Sequence, residues 1–373
     1  MASSLFTKVF VGIRSIQSSA CFLKESRSYT SFVKRRTMFT VAALPSLVSP
    51  KACSLHSMAT VSPSVAASTS HPVSPSEPVV SPDWLHANLR EPDFKVLDAS
   101  WYMPGELRNP FQEYQVAHIP GALFFDVDGI TDRKSNLPHM LPSEEAFSAA
   151  VSALGIDNKD NVVIYDGKGI FSAARAWWMF RVFGHNKVWV LDGGLPHWRA
   201  SRYDVESSAA GDEVLKSSAA IEAIEKVYQG QSVRPTTFEA KLQHHLVWTL
   251  EQVKQNIEGQ SHQHIDARSK ARFDGIAPEP RKGVRGGHVP GSKCIPFEQM
   301  LDGSQMLLSR EELLKKFEQE IAMDRPVVAS CGTGVTACIL ALGLYRLGKT
   351  DVPVYDGSWT EWGSEPDTPI SSS

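Results

Sequence analysis

The chain has 373 residues, 42% of them hydrophobic and nine of them tryptophan, which gives room for two domains of ordinary size and an appendage. A formal charge of −3 excludes a strongly basic nucleic-acid binder, and no continuous apolar run is long enough to span a membrane. Five cysteines, odd in number and irregularly spaced, make no disulfide framework and fit a reducing compartment.

Residues 1–78 differ from everything after them. Up to Ser76 the only acidic residue is Glu25, against Lys8, Arg14, Lys24, Arg27, Lys34, Arg35, Arg36 and Lys51. Serine is abundant, and Val61 to Pro78 is a Ser/Pro/Ala/Val tract with no packing period. An Arg- and Ser-rich, acid-poor start predicts a cleavable import sequence followed by a disordered linker. The expected destination is the mitochondrion, with the plastid second. A start at Met38 or Met58 would leave a cytosolic form, and a plain disordered tail is the alternative.

Globular sequence starts near Val79. A helical opening at Ser81 to Leu85 precedes a strand, Lys95 to Ala99. His118-Ile119-Pro120-Gly121 then leads an apolar run into Phe125, and a helix is expected from Ser143 to Leu154. A strand over Asn161 to Tyr165, a loop, a helix over Ala173 to Phe183 and a strand over Lys187 to Leu191 follow. Strands alternating with helices predict an α/β fold with a mostly parallel sheet flanked by helices.

The order then repeats. Leu97-Asp98-Ala99 answers Ile265-Asp266-Ala267, 168 positions later; His118-Ile119-Pro120-Gly121 answers His288-Val289-Pro290-Gly291, 170 later. Asp192-Gly193-Gly194 answers Asp356-Gly357-Ser358 at an offset of 164. Matches in one order at a nearly constant spacing predict a duplicated domain: a first copy over 79–210, a linker over 211–236 and a second copy over 237–373. His118 and His288, recurring in both copies, read as structural.

The second copy contains the stretch Pro326 to Gly348. Val327 to Ala329 reads as a buried strand, and Ala337 to Leu347 as a helix closed by Gly348. Between them lies Cys331-Gly332-Thr333-Gly334-Val335-Thr336. Two glycines let the backbone curl so that N–H groups converge, and the following helix adds its positive end. A thiol there ionises readily and is a candidate nucleophile. A buried structural cysteine is the alternative. A P-loop would end in Lys-Ser/Thr and a cysteine phosphatase loop in arginine; Ala337 stands at that place, so neither fits. The first copy carries Asp166 where the second has Cys331, and a carboxylate is no sulfur nucleophile. The first copy is therefore expected to be inert and to serve as one wall of a cleft. No Cys/His spacing suggests a metal.

The paired His-Ile/Val-Pro-Gly motifs, the Cys-Gly-x-Gly-Val-Thr loop and Tyr355-Asp356-Gly357-Ser358-Trp359 resemble the rhodanese-like sulfurtransferases from Val79 to Gly363. The resemblance implies two tandem rhodanese-like domains and transfer of sulfane sulfur through a Cys331 persulfide. Gly332, Gly334, Val335 and Thr336 would supply the amide cradle. Neutral Gly332 and Thr333 point to the mercaptopyruvate-using members, with Arg272 and Arg281 on the donor's carboxylate. Thr333, His139 and Asp128 stand where those members have a Ser–His–Asp group that moves protons, threonine replacing serine. Phe171 stands where the family presents an aromatic towards the cleft. The implied partners are a small-molecule sulfur donor and a thiol acceptor, a thioredoxin-like protein among the candidates, with no nucleic acid, membrane or cofactor. Two other readings remain open: thiosulfate as the main donor, and a persulfide carrier or redox sensor without turnover.

Overall fold

The computed structural model describes residues 77–208 and 211–372. The expected import sequence therefore lies outside the described residues except for Glu77 and Pro78.

The first copy runs β1 (Val79–Val80), α1 (Pro82–Asn88), β2 (Phe94–Asp98), α2 (Pro110–Val116), β3 (Leu123–Phe124) and α3 (Glu144–Ala153). It continues through β4 (Asn161–Tyr165), α4 (Ala173–Val182), β5 (Val188–Leu191), α5 (Gly194–Ala200) and α6 (Asp212–Tyr228). The second copy runs β6 (Val247–Trp248), α7 (Leu250–Gly259), β7 (Gln263–Asp266), α8 (Lys270–Phe273) and β8 (Lys293–Cys294). It ends with α9 (Arg310–Glu318), β9 (Val327–Ser330), α10 (Ala337–Arg346), β10 (Val354–Tyr355) and α11 (Ser358–Ser364).

Each copy forms one five-stranded sheet, ordered β1-β5-β4-β2-β3 and β6-β10-β9-β7-β8. Every pairing is parallel. The orders are the same when position in each copy is compared, as duplication requires. Central strands covered on both faces lack polar alternation, which is why Val162-Val163-Ile164 and Val327-Val328-Ala329 are fully apolar and buried. Serines set the helix starts: Ser81 accepts from the Trp84 N–H and Ser143 from the Ala146 N–H.

Helices α4 and α10, each following a copy's loop, pack against one another, with the Trp177 and Tyr345 rings 5.5 Å apart. One apolar cluster runs from Leu97 and Phe180 in the first copy to Val335 and Leu340 in the second. The copies are therefore joined by core rather than by a polar seam. The repeated aspartates reinforce the junction reciprocally. Asp192 of the first copy accepts from the Leu307 N–H of the second at 2.8 Å, and Asp356 of the second accepts from the Leu141 N–H of the first at 2.9 Å.

Residues 211–236, expected as a linker, instead hold the 17-residue helix α6, which packs on α3. Ser217, Ala220 and Ile224 face inward, and the Ser217 hydroxyl accepts from the Phe124 N–H at 2.9 Å. Small residues on the buried stripe weaken its periodicity, which hides the helix in the sequence. His118 and His288 are both buried, and their Nδ1 atoms bond the carbonyls of Tyr114 (2.7 Å) and Phe273 (2.8 Å). They are structural, as their recurrence suggested.

Candidate active site

Parallel strands deliver their following loops to the carboxyl edge of the sheet, where α/β proteins place ligands. The loop after β9 begins at Cys331, and its carbonyls are tied down one by one. The Cys331 carbonyl accepts from the Trp359 N–H and the Gly332 carbonyl from the Thr360 N–H, both at 2.9 Å, at the start of α11. The Thr360 hydroxyl adds a bond to the Gly332 carbonyl at 2.7 Å. The Gly334 carbonyl accepts from Arg175 Nη1 at 3.2 Å. The Cys331 N–H donates to Ser358 Oγ at 3.1 Å. Among the described residues, the N–H groups of Thr333, Gly334, Val335 and Thr336 donate to no protein acceptor. Gly334 has φ +75°, and a Cβ there would lie 2.8 Å from the Asp356 carbonyl and 2.9 Å from Arg175 Nη1. Only glycine meets both demands.

The first copy shows what such a loop holds. The Asp166 carboxylate, 165 positions before Cys331, accepts from the N–H groups of Lys168 (2.8 Å), Phe171 (2.8 Å) and Ala173 (2.9 Å). The turn is an anion cradle filled by the protein's own side chain. Burial nonetheless raises the Asp166 pKa against the pull of those amides.

Cys331 is 2% exposed, and the exposed part opens on a cleft of about 280 Å³ between the copies. The second copy contributes Arg272, Arg281, Thr333 and Phe297 to the walls; the first contributes Trp101, Lys168 and Phe171. The cations in and around the predicted Arg272 and Arg281 separate into distinct roles. Arg268 is buried, clamped by both Asp266 oxygens and by Glu279 Oε1 at 2.9 Å, with its guanidinium over the Trp359 ring. Lys270 pairs with Asp274 and Arg285 with C-terminal carbonyls. Arg272 is anchored by Glu279, with Nη2 to Oε2 at 2.5 Å, and its Nη2 would lie 3.0 Å from a Cβ on Gly332. The bare glycine leaves room for the guanidinium beside the cysteine. Arg281 makes no hydrogen bond or ion pair among the described residues. Burial and the like charge of Arg272 lower its pKa, with Asp128 and Cys331 pulling the other way. Two guanidinium forks facing one cleft suit a carboxylate.

His139 is buried, and its Nε2 lies 2.9 Å from Asp128 Oδ1. The Trp101 indole N–H donates to both Asp128 oxygens at 3.0 and 3.1 Å, and the His139 ring meets Trp101 edge-on at 4.8 Å. Desolvation works against the Asp128 charge, yet His139, Trp101 and the positive field of Arg281 hold its pKa below the usual value. Thus His139 and Asp128 are brought together beside Trp101, His139 buried and the Asp128 carboxylate exposed, and neither lines the cleft itself. Thr333 is in the cleft wall, but among the described residues no hydrogen bond joins its hydroxyl to His139. His139 Nδ1 is buried with no partner. Cys338 is core: it is fully buried, its thiol donates to the Gly334 carbonyl at 3.2 Å, and burial pushes its pKa far up.

Sequence reasoning missed Arg175, Trp101 and Ser358. A signal existed for Arg175, a lone charge in the apolar run Ala173 to Phe180, since such a charge must be paired inside. Ser358 replaces Gly194 of the first copy, a difference visible once the repeats are aligned. For Trp101 no signal was present. Among the described residues no group of His, Cys, Asp or Glu is placed to hold a metal, and no helix is long and apolar enough to cross a membrane.

Two parallel α/β units, one with its loop closed by aspartate and the other with a cysteine loop open to a shared cleft, define a tandem-domain α/β protein. The chain belongs to the rhodanese-like family: the family model described as a rhodanese-like domain matches residues 81–201 and 249–365. It is 76% identical over 301 residues to the Arabidopsis thaliana thiosulfate/3-mercaptopyruvate sulfurtransferase 1, mitochondrial, covering 80% of this chain and 79% of the relative. It is 42% identical to the Homo sapiens 3-mercaptopyruvate sulfurtransferase over 76% of this chain and 91% of that one. The crystal structure of SseA, a 3-mercaptopyruvate sulfotransferase from Escherichia coli, superposes with a TM-score of 0.64 at 34% identity, covering 76% of this chain and 99% of that one.

Proposed function

We propose that the protein is a sulfurtransferase that moves sulfane sulfur from 3-mercaptopyruvate through a Cys331 persulfide to a thiol acceptor. The observation that carries this reading is the pairing of a cysteine loop with Arg272 and Arg281 around one cleft. The two guanidinium groups hold the donor's carboxylate. The Cys331 thiolate attacks the donor's thiol sulfur; an S–S bond forms and the C–S bond breaks with its electron pair going to carbon. The resulting pyruvate enolate takes up a proton, for which Thr333, His139 and Asp128 are the relay, and pyruvate leaves. The persulfide anion rests on the N–H groups of the loop from Gly332 to Thr336, as the Asp166 carboxylate rests on its own loop. An acceptor thiolate, or cyanide in vitro, then attacks the outer sulfur and restores Cys331. These steps balance without a cofactor.

A thioredoxin-like dithiol protein is a candidate acceptor. Thiosulfate is the second donor, since the cleft's cations also suit a dianion and the Arabidopsis relative's name includes it. The same relative's mitochondrial designation and the acid-poor N-terminus support import into mitochondria.

A donor panel with pyruvate counted against thiocyanate tests the reading. One pyruvate per sulfur from mercaptopyruvate is expected, with Cys331→Ser inactive; an active Cys331→Ser enzyme would refute it. Arg281→Ala should raise KM for mercaptopyruvate by about ten- to hundredfold, the worth of a charged hydrogen-bonded pair, and disturb thiosulfate less. Equal loss on both donors would remove the carboxylate role.

A further inference from the structure

Arg175 stands in α4 of the first copy and is fully buried. An unpaired guanidinium in such a place would cost several kcal/mol, so its partners state its task. Nη2 donates to Asp356 Oδ1 at 2.7 Å and also to the His139 carbonyl. Nη1 donates to the Gly334 carbonyl at 3.2 Å. One planar group therefore touches the cysteine loop, the backbone of the relay histidine and the motif that carries Ser358. Lysine, whose three donors share one nitrogen, lacks the planar spread that reaches all three.

We propose that Arg175 is a positioning residue for sulfur transfer: it draws the Gly334 carbonyl to the rear of the loop, leaving the N–H groups of Thr333 to Thr336 turned to the sulfur, and fixes His139 relative to that loop. The inference rests on the Cys331 persulfide reading. Two further observations support it. His139 has φ +64°, a left-handed conformation unfavourable for histidine, and its carbonyl is held there by Arg175. Gly334 lies so close to Nη1 that any side chain would displace one or the other. Burial works against the charge on Arg175, yet the Asp356 carboxylate beside it raises its pKa above the ordinary value. The non-catalytic copy thus supplies more than a wall: it sets the geometry of its sister's loop.

Arg175 does not line the cleft, so its loss should be read in kcat and in the ionisation of Cys331 rather than in donor binding. The test compares Arg175→Lys, Arg175→Met and Asp356→Asn for mercaptopyruvate turnover and for the pH midpoint of Cys331 alkylation by iodoacetamide. Expected are a fall in kcat of about tenfold or more for Arg175→Met, KM within about threefold, a midpoint moved to higher pH, and partial rescue in Arg175→Lys. If Arg175→Met does not fold, Arg175→Lys and Asp356→Asn still decide, each expected to show the same split in weaker form. A lowered Tm with unchanged kcat and midpoint in those two would make Arg175 merely structural and overturn the inference. Cys331→Ser run alongside separates the two ideas: if it retains activity, the persulfide reading itself fails.

Discussion

The loop after β4 and the loop after β9 occupy equivalent places in two copies of one fold and hold different occupants. In the first, Asp166 folds back into its own turn and takes three amide hydrogen bonds between 2.8 and 2.9 Å. In the second, Cys331 is too short and too weak an acceptor to do so, and the N–H groups of Thr333 to Thr336 have no protein partner among the described residues. A second substitution accompanies the first. Gly194, whose neighbour Leu195 donates to the Asp166 carbonyl, becomes Ser358, whose hydroxyl takes the Cys331 N–H. The difference teaches that the cradle belongs to the fold, while its availability depends on the residue at its first position.

The largest test of that comparison is Cys331→Asp, which gives the second loop the occupant of the first. Sulfur transfer should be lost altogether, with no persulfide adduct by mass spectrometry, while stability is kept or raised because the carboxylate finds waiting donors. Destabilisation beyond about 2 kcal/mol in chemical unfolding would mean an unsatisfied buried carboxylate, and so amides turned elsewhere. Next comes Gly334→Ala, which strains a φ of +75° and pushes on Arg175. It should cost about 1–3 kcal/mol of stability and lower kcat by roughly a hundredfold, and wild-type turnover would show that loop shape is not limiting. The smallest effect is expected from Ser358→Gly, which restores the first copy's residue. Glycine relieves the positive φ of Ser358, so stability should hardly change, while loss of one hydrogen bond to the loop should cost about two- to tenfold in kcat.

An acid–base comparison sharpens the same contrast away from the loops. Asp98 is buried with Ser100 as its hydrogen-bond partner, whereas the equivalent Asp266 is buried against the guanidinium of Arg268. Burial pushes the Asp98 pKa up to about 6, above its unfolded value. Its contribution is therefore fully present below the unfolded value and lost as pH rises through about 6. Asp98→Asn should flatten the stability profile over that interval, and an unchanged profile would show that Asp98 does not titrate there.

Much of this was readable in the chain. The strand-loop-helix around Cys331 was marked by an apolar run, two glycines and a second apolar run, all local signals. The duplication was legible because Asp98, His118 and Asp192 recur at a nearly constant offset. The helix α6 was not legible, because alanine and serine on its inner stripe give little contrast with its outer face. The Asp128–His139 pair was only half legible: resemblance pointed to both residues, but the indole of Trp101 that bonds Asp128 and packs on His139 carried no mark.

By itself the sequence determined two copies, a parallel sheet in each, and a single cysteine loop, because hydrophobic period, glycine and repeat spacing act over short stretches of chain. The tertiary structure alone decided which cations face the cysteine and which are locked away, since Arg268, Arg272 and Arg281 differ only in the carboxylates that folding brings to them. It also decided that a buried arginine of the first copy grips the cysteine loop of the second, a contact across 159 positions that no local pattern encodes.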